Sequence, residues 1–474
     1  MKKLVFFNFI WRFAERCGAR IVEFIVTIVL ARILLPEDYG TVALINVFIS
    51  ILRVFVNCGL GSALIQKYDA DDLDFSSVFF FNVGFSIILY VLLFYVAPII
   101  ARFYDNQELT NYVRVMGIVL IIASVKNVQS AYVSRNLIFK RFFFATLGGT
   151  VGAAILGIWM ALNGFGVWAL IAQSLFNNAV DTVILWITVK WRPKKIFSFN
   201  RLKVLLSFGW KLLASSLLDT VYSNLRSLII GKKYSSEDLA YFNRGNELPA
   251  VVTDNIISSI DSVLLPAMSK VQNDPEQVKN MTRRSITVST YIIAPFMMGL
   301  AFIADKMIGV LLTDKWLPSV PYLRIFCITY MFYPIHIANL SAIKAMGRSD
   351  MYLKLEILKK VIGLPVLIIS MSISVKAMAY SMIFTSVTSQ IINSFPNLKL
   401  LHYSYVEQLK DIIPSIGIAV AMGFLVSLIG ELPIMPIVML LVQILAGVII
   451  YISLSIVTKN TSFIYLISIL RGRA

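Results

Sequence analysis

Apolar stretches of about 20 residues recur along the whole chain, and nothing else in it restricts the fold so strongly. A stretch of that length crosses a bilayer as a helix, because only a helix satisfies its own backbone in lipid. Soluble domains carry roughly 45–50% apolar and about 25% charged residues. Here 58% of 474 residues are hydrophobic and 15% are charged. A transmembrane barrel would alternate in segments of roughly ten residues, a pattern the sequence does not show. The chain reads as an all-α polytopic membrane protein.

Fourteen spans are expected, near 15–35, 41–66, 76–101, 113–134, 142–162, 165–189, 204–231, 239–268, 283–304, 317–343, 352–374, 376–398, 410–430 and 434–457. The third, fifth, sixth, eleventh, thirteenth and fourteenth stand out. The first, seventh and eighth are polar enough for hydropathy to pass over them. Loop charge supports the count. With the N-terminus in the cytoplasm, the inner segments hold most of the lysines and arginines, including the run Lys190, Arg192, Lys194, Lys195, Arg201 and Lys203. The outer segments hold only Arg32, Arg102, Lys232, Lys233, Lys306, Lys315 and Lys376. Cytoplasmic loops carry such a bias, so both termini are read as cytoplasmic. The same bias accounts for the net charge of +17 without nucleic acid. The opening "MKKLVFFNFIW" reads as an uncleaved interfacial segment, since no small-residue cleavage site follows it.

Cys17, Cys58 and Cys327 form no disulfide pattern, and His336 and His402 give no metal-ligand spacing. No metal or cofactor is expected.

A repeat lies at an offset of 200 residues. "TIVLARILLPEDYG" (27–40) aligns with "SLIIGKKYSSEDLA" (227–240), matching Glu37-Asp38 to Glu237-Asp238 and Arg32 to Lys232. Acidic residues in a first helical turn also suit the helix dipole, so part of the match is generic capping. The repeat divides the chain into a six-helix bundle over 1–195, a second over 196–402, and two additional helices with a short tail over 403–474. Parallel repeats of this kind hold their site between them. The basic, proline-broken "KWRPKKIFSFNRLK" (190–203) is the connector.

Charges inside the spans gather on single helix faces: Arg16, Arg20 and Glu23 on span 1, Asn46, Ser50, Arg53 and Asn57 on span 2, Lys211, Ser215, Asp219, Tyr222 and Arg226 on span 7, Arg244, Glu247, Asp254 and Asp261 on span 8. Each mid-bilayer charge costs roughly 2.5–3.5 kcal/mol, so such residues face water or a partner. Spans 1 and 2 correspond to 7 and 8 under the repeat. The pattern implies a hydrated central cavity in which Arg16, Arg20, Arg53, Lys211, Arg226 and Arg244 bind an anion, since the guanidinium fork matches phosphate oxygens. Glu23, Asp219, Glu247 and Asp254 would pair with these charges or couple transport to an ion. Plainer roles stand beside these. Arg16 and Arg20 could snorkel to the interface. Arg244 and Glu247 could be an intrahelical pair, Asp219 could pair structurally with Arg226 or Lys211, and Asp261 could be a helix-end residue.

"VLARILLPEDYGTVALINVF" resembles the first hairpin of bacterial polysaccharide exporters in the multidrug/oligosaccharidyl-lipid/polysaccharide (MOP) superfamily. "LRSLIIGKKYSSEDLAYFNRGNELP", followed by "LLPAMSKVQND", is similar to helices seven and eight of its Wzx-type oligosaccharide flippases. The second copy has Leu239-Ala240 where the first has Tyr39-Gly40. The resemblance implies two six-helix bundles around a central cavity. It implies transfer of an undecaprenyl-pyrophosphate-linked oligosaccharide (O-antigen, capsule or exopolysaccharide unit) across the bacterial inner membrane. Arginines on helices 1, 2 and 8 are used in related flippases, which here correspond to Arg16, Arg20, Arg53 and Arg244. The partners implied are the lipid-linked substrate and membrane lipids, with a polysaccharide polymerase as a further candidate; one chain would suffice.

Two other functions compete. A drug/cation antiporter on the same fold would want an acidic, aromatic site. A membrane-embedded glycosyltransferase or polymerase would want acidic residues at the membrane mouth. "DADDLD" (69–74) is the one acidic cluster, and it reads better as a cytoplasmic loop with Asp74 capping span 3. No nucleophile–base arrangement or Walker-type loop stands out, so the chain is not read as an enzyme.

Overall fold

The computed structural model describes residues 18–20, 22–67, 69–136, 138 and 140–470. Among them there is no β-strand. The helices in order are α1 (22–33), α2 (Pro36–Asn57), α3 (Leu60–Gln66), α4 (Asp72–Phe103), α5 (Leu109–Arg135), α6 (Lys140–Leu162), α7 (Val167–Thr188), α8 (Phe199–Lys233), α9 (Ser236–Lys270), α10 (Pro275–Leu312), α11 (Val320–Met331), α12 (Tyr333–Ala345), α13 (Ser349–Ser370), α14 (Val375–Leu401), α15 (Tyr405–Ile429), α16 (Pro436–Val457) and α17 (Thr461–Leu470).

Each of the fourteen expected spans falls on a helix or a broken pair of helices. Ten helical segments among the described residues are long and apolar enough to cross a membrane. The exposed positions of α4 and α16, such as Ile88, Ile99, Leu445 and Ile449, are large and apolar, as a lipid-facing surface requires. The chain is a multi-pass membrane protein. Hydropathy admits α9, which the sequence suggested it would miss, and does not admit α13, which had stood out. Lys354, Glu356, Lys359 and Lys360 crowd the first three turns of α13 and explain that difference.

Two spans are interrupted. Span 2 breaks where Cys58 and Gly59 both take positive φ, 43° and 66°, ending α2 and starting α3. Span 10 is a 3-10 turn (Asp314–Ser319) followed by α11 and α12, with Pro334 opening the last piece.

The repeat reappears as local geometry. The Leu35 N–H donates to the Asp38 carboxylate at 2.9 Å. In the second copy the Asp238 N–H donates to Ser235 Oγ at 2.9 Å, and that hydroxyl also bonds the Asp238 carboxylate. Both copies are tight helix–helix turns in which the acidic residue closes the cap. Gly40 serves a separate need: a Cβ there would lie 1.6 Å from the Ser236 carbonyl oxygen.

The chain forms two compact units, Met1–Ala240 and Tyr241–Ala474. In the first, α2 packs on α5, α7 and α8, while α4 packs on α5 and α6 on α7. In the second, α10 is the centre, with α11, α12, α15 and α16 around it. By packing, α8 sits in the first unit. The repeat-based division at 195 and 402 remains a separate proposal.

The acidic loop is an anchor. Asp71, not Asp74, is the N-cap of α4: it accepts from the Asp74 N–H at 3.0 Å, and Asp74 accepts in return from the Asp71 N–H at 3.2 Å. Asp74 is fully buried and pairs with Lys67 at 2.5 Å. Asp72 pairs with Lys194 at 2.6 Å and accepts from Trp191 Nε1 at 3.1 Å. The backbone N–H groups of Lys194 and Ser198 donate to Ser76 and Ser77. The basic connector is thereby fastened across the start of α4.

Candidate functional site

Each predicted site residue can now be placed. Arg16 lies outside the described residues, and so does the side chain of Lys211. Arg20 and Glu23 pair with each other at 3.1 Å, with side chains 65% and 45% exposed, a geometry of small energetic weight. Asp219 and Asp254 occupy exposed positions on α8 and α9. Asp261 accepts a hydrogen bond from Ser341 of α12.

Arg244 belongs to the second unit and is packed. Its guanidinium donates to Glu247 at 2.6 Å, and its side chain is 7% exposed. It lies 4.8 Å from the ring centre of the fully buried Trp316. Tyr241 meets the same ring edge-on. This is the arrangement of a helix-internal ion pair backed by a cation–π contact.

Arg53 and Arg226 differ from it. Both are half-buried within the first unit, and in each the Nε is buried without a hydrogen-bond partner. Arg53 spends one Nη on Asn178 of α7, at 3.3 Å. The two arginines stand on adjoining helices. A Cβ on Gly231 would strike Leu44, and one on Gly209 would strike the Cys58 carbonyl. Thus α8 runs antiparallel to α2, with Arg226 beside the first half of α2 and Arg53 beside the middle of α8. A guanidinium has five donors in a fixed fork, and burying one unpaired costs about 1–3 kcal/mol or more for a charged group. Both side chains keep donor capacity for an anion.

Around Arg53 the structure gathers Asn57 of the same stripe and residues that the stripe argument passed over. Asn57 of α2 accepts from Asn127 of α5 at 2.7 Å. Lys126 of α5 forms an ion pair with Asp181 of α7. Asn178 and Asp181 lie one turn apart on α7. Lys126 and Asp181 were open to the same rule that singled out Arg53, since each is a charge inside an apolar span. Each is the lone mid-span charge of its helix, so no stripe drew attention to it.

The second unit also holds a buried network of neutral side chains. Asn339 of α12 donates to Gln408 of α15 at 2.7 Å and to Ser394 of α14 at 3.2 Å. Asn397 donates to the Asn339 side chain at 2.6 Å, and Ser394 donates to Gln408 at 3.0 Å. All four are at most 1% exposed. No group of three or more His, Cys, Asp or Glu that could hold a metal occurs among the described residues.

The chain is similar to known proteins. The succinoglycan biosynthesis transport protein ExoT of Rhizobium meliloti is 24% identical over 327 residues, covering 69% of this chain and 66% of that protein. The teichuronic acid biosynthesis protein TuaB of Bacillus subtilis is 26% identical, covering 63% and 62%. The lipopolysaccharide biosynthesis protein WzxC of Escherichia coli is 23% identical, covering 72% and 70%. The matched region thus spans a little under two thirds of the length of the first two. Among solved structures, the lipid II flippase MurJ in an inward closed conformation aligns with a TM-score of 0.77 at 14% identity, over 95% of this chain and 99% of that one. An inward-facing multidrug resistance MATE transporter of the MOP superfamily aligns at 0.62 and 17% identity, over 81% and 94%. The fold is therefore that of MurJ and the MATE transporters, two helical halves as the sequence suggested. The polysaccharide biosynthesis protein family model matches residues 29–321, and the chain belongs to that family.

Proposed function

We propose that the chain is a flippase that carries an undecaprenyl-pyrophosphate-linked oligosaccharide across the bacterial cytoplasmic membrane by alternating access. The observation that carries this reading is the pair Arg53 and Arg226: two guanidiniums on the packed helices α2 and α8, each with a buried Nε that has no hydrogen-bond partner. Energetic cost points the same way, because a charge kept inside the membrane without a full set of partners marks a substrate path. Family membership supports it, as do the transport and flippase names of ExoT and MurJ. Arg53 and Arg226 would hold the pyrophosphate. Arg20, with Arg16 and Lys211, would add to the cationic surface. Arg244, locked against Trp316, would shape the second unit rather than bind. The chain acts without enzymatic chemistry, as a monomer with cytoplasmic termini, and hands its substrate to a polymerase.

Deleting the gene and assaying lipid-linked glycan tests this. The expected outcome is loss of surface glycan with assembled lipid-linked units accumulating inside, restored by the wild-type gene but not by Arg53→Ala. Failure to assemble the unit at all would point to a synthetic enzyme instead. Altered drug sensitivity with normal glycan would point to an antiporter.

A further inference from the structure

The Lys126–Asp181 pair sits one helical turn from Asn178, the residue bonded to Arg53. Lys126 is 28% exposed and Asp181 10%. One carboxylate oxygen takes the ammonium, while the other, Oδ1, is buried with no hydrogen-bond partner. A carboxylate normally fills both oxygens when buried, so this one is held by a single contact.

Among the described residues, the charged groups facing it are few. From α5 there is Lys126; Arg135, at the inner end of α5, is occupied by the carbonyls of Leu64 and Lys67. From α2 there is Arg53, through Asn178. From α6 the neighbour is the backbone at Gly149, where a Cβ would be 3.4 Å from Asp181 Cβ, and Thr150 beside it returns its hydroxyl to Thr146. Arg141 at the inner end of α6 is exposed. On α1, Arg20 and Glu23 pair with one another. Asp181 is the single charge of α7. A metal cation here would meet the Lys126 ammonium and the Arg53 guanidinium, and like charges repel strongly at low dielectric. A proton adds no such contact.

We infer that Lys126 and Asp181 form an exchange pair: an anionic pyrophosphate arriving at Arg53 takes over the Lys126 ammonium, and Asp181 takes up one proton from water. This rests on the flippase reading above and deepens it. No bond to carbon or phosphorus changes. The ammonium keeps its three protons and passes from carboxylate to phosphate oxygen. The released carboxylate, now beside an anion in a dry site, is neutralised. By linkage the effect is reciprocal: protonating Asp181 frees Lys126 for the anion, and the anion raises the proton affinity of Asp181.

The test uses the full chain in nanodiscs with farnesyl pyrophosphate as the probe, titrated calorimetrically in buffers of different ionisation enthalpy. Wild type should take up close to one proton more than Asp181→Asn, a difference that removes the probe's own protonation. Its affinity should weaken by up to roughly tenfold per pH unit on going alkaline. Asp181→Asn should bind several-fold tighter at pH 8, with the pH dependence reduced to the probe's own. Lys126→Gln should bind about tenfold weaker or worse. If the lone ammonium of Asp181→Asn prevents folding, the double variant Lys126→Gln/Asp181→Asn replaces it and should show the same loss of uptake. Binding by wild type with no excess proton overturns the inference and leaves the flippase reading standing, as does uptake that survives Asp181→Asn, alone or in the double variant. Failure of wild type to bind the probe at any pH sinks the anion site and the inference together.

Discussion

The two units put polar side chains inside apolar helices in opposite ways. The second unit ties Asn339, Ser394, Asn397 and Gln408 into one neutral network. The first unit buries charge, with Arg53, Arg226 and the Lys126–Asp181 pair; buried atoms without a hydrogen-bond partner occur in both units, on these charged groups in the first and on neutral amides such as Asn397 and Gln443 in the second. Neutral amides that bond each other contribute stability and a fixed geometry, since each lost partner orphans a buried group. Guanidiniums left short of partners cost stability, and the proposed function gives them an anion to bind. On that proposal the comparison separates residues that hold the fold from residues that bind substrate.

The sharpest break of that comparison is Arg53→Ala. Losing one arm of a buried, charge-assisted phosphate contact removes about 2 kcal/mol or more of binding, so export per folded molecule should fall by about 30-fold or more. Thermal stability should hold or rise, because a costly charge has left the membrane. Gln408→Ala should do the reverse. It removes one buried partner from each of Asn339 and Ser394, which keep their bonds to the Ile335 and Gln390 carbonyls, at about 1 kcal/mol per lost bond, so the melting temperature drops while export per folded molecule is kept. If Arg53→Ala proves the less stable of the two in the same detergent, the division of labour is wrong.

Arg244→Met sharpens the comparison further. The apolar stem still packs on Trp316, and the pair lost is to a half-exposed Glu247. The cost should be about 1 kcal/mol, with export per folded molecule within twofold of wild type. A fall as deep as that of Arg53→Ala would return Arg244 to the anion-binding set.

Much of this architecture was legible in the sequence because membrane helices advertise themselves. Within the described residues the expected spans are helical, and Asp38 and Asp238 mark corresponding turns, since a cap must sit where a helix starts. Arg53 was legible because a mid-span charge is rare. The break at Cys58–Gly59 was not, since a left-handed cysteine leaves no compositional trace and depends on α8 crossing at Gly209. The environment of Arg244 was also hidden. Trp316 lies about 70 residues downstream, and only tertiary packing brings it to that guanidinium. The Lys126–Asp181 pair was hidden for a related reason: its members are on different helices, and a one-helix periodicity does not register a partner across the bundle.

The smallest predicted effect concerns the loop that anchors the connector, which should titrate. The Asp74 backbone N–H, aided by Arg201 at 3.8 Å, holds the Asp71 carboxyl below its usual range. A carboxyl lowered by folding stabilises fully above its unfolded value, near 4, and loses that contribution as pH falls through the native value. Hydrogen exchange in the first turn of α4, corrected for intrinsic rates, should therefore stay flat from pH 7 to about 5 and accelerate below 4. Asp71→Ala should exchange there about fivefold faster at neutral pH, the usual weight of an N-cap, and lose the acid step. Protection at the start of α4 that ignores pH down to 3 would mean that Asp71 is not the cap that holds it.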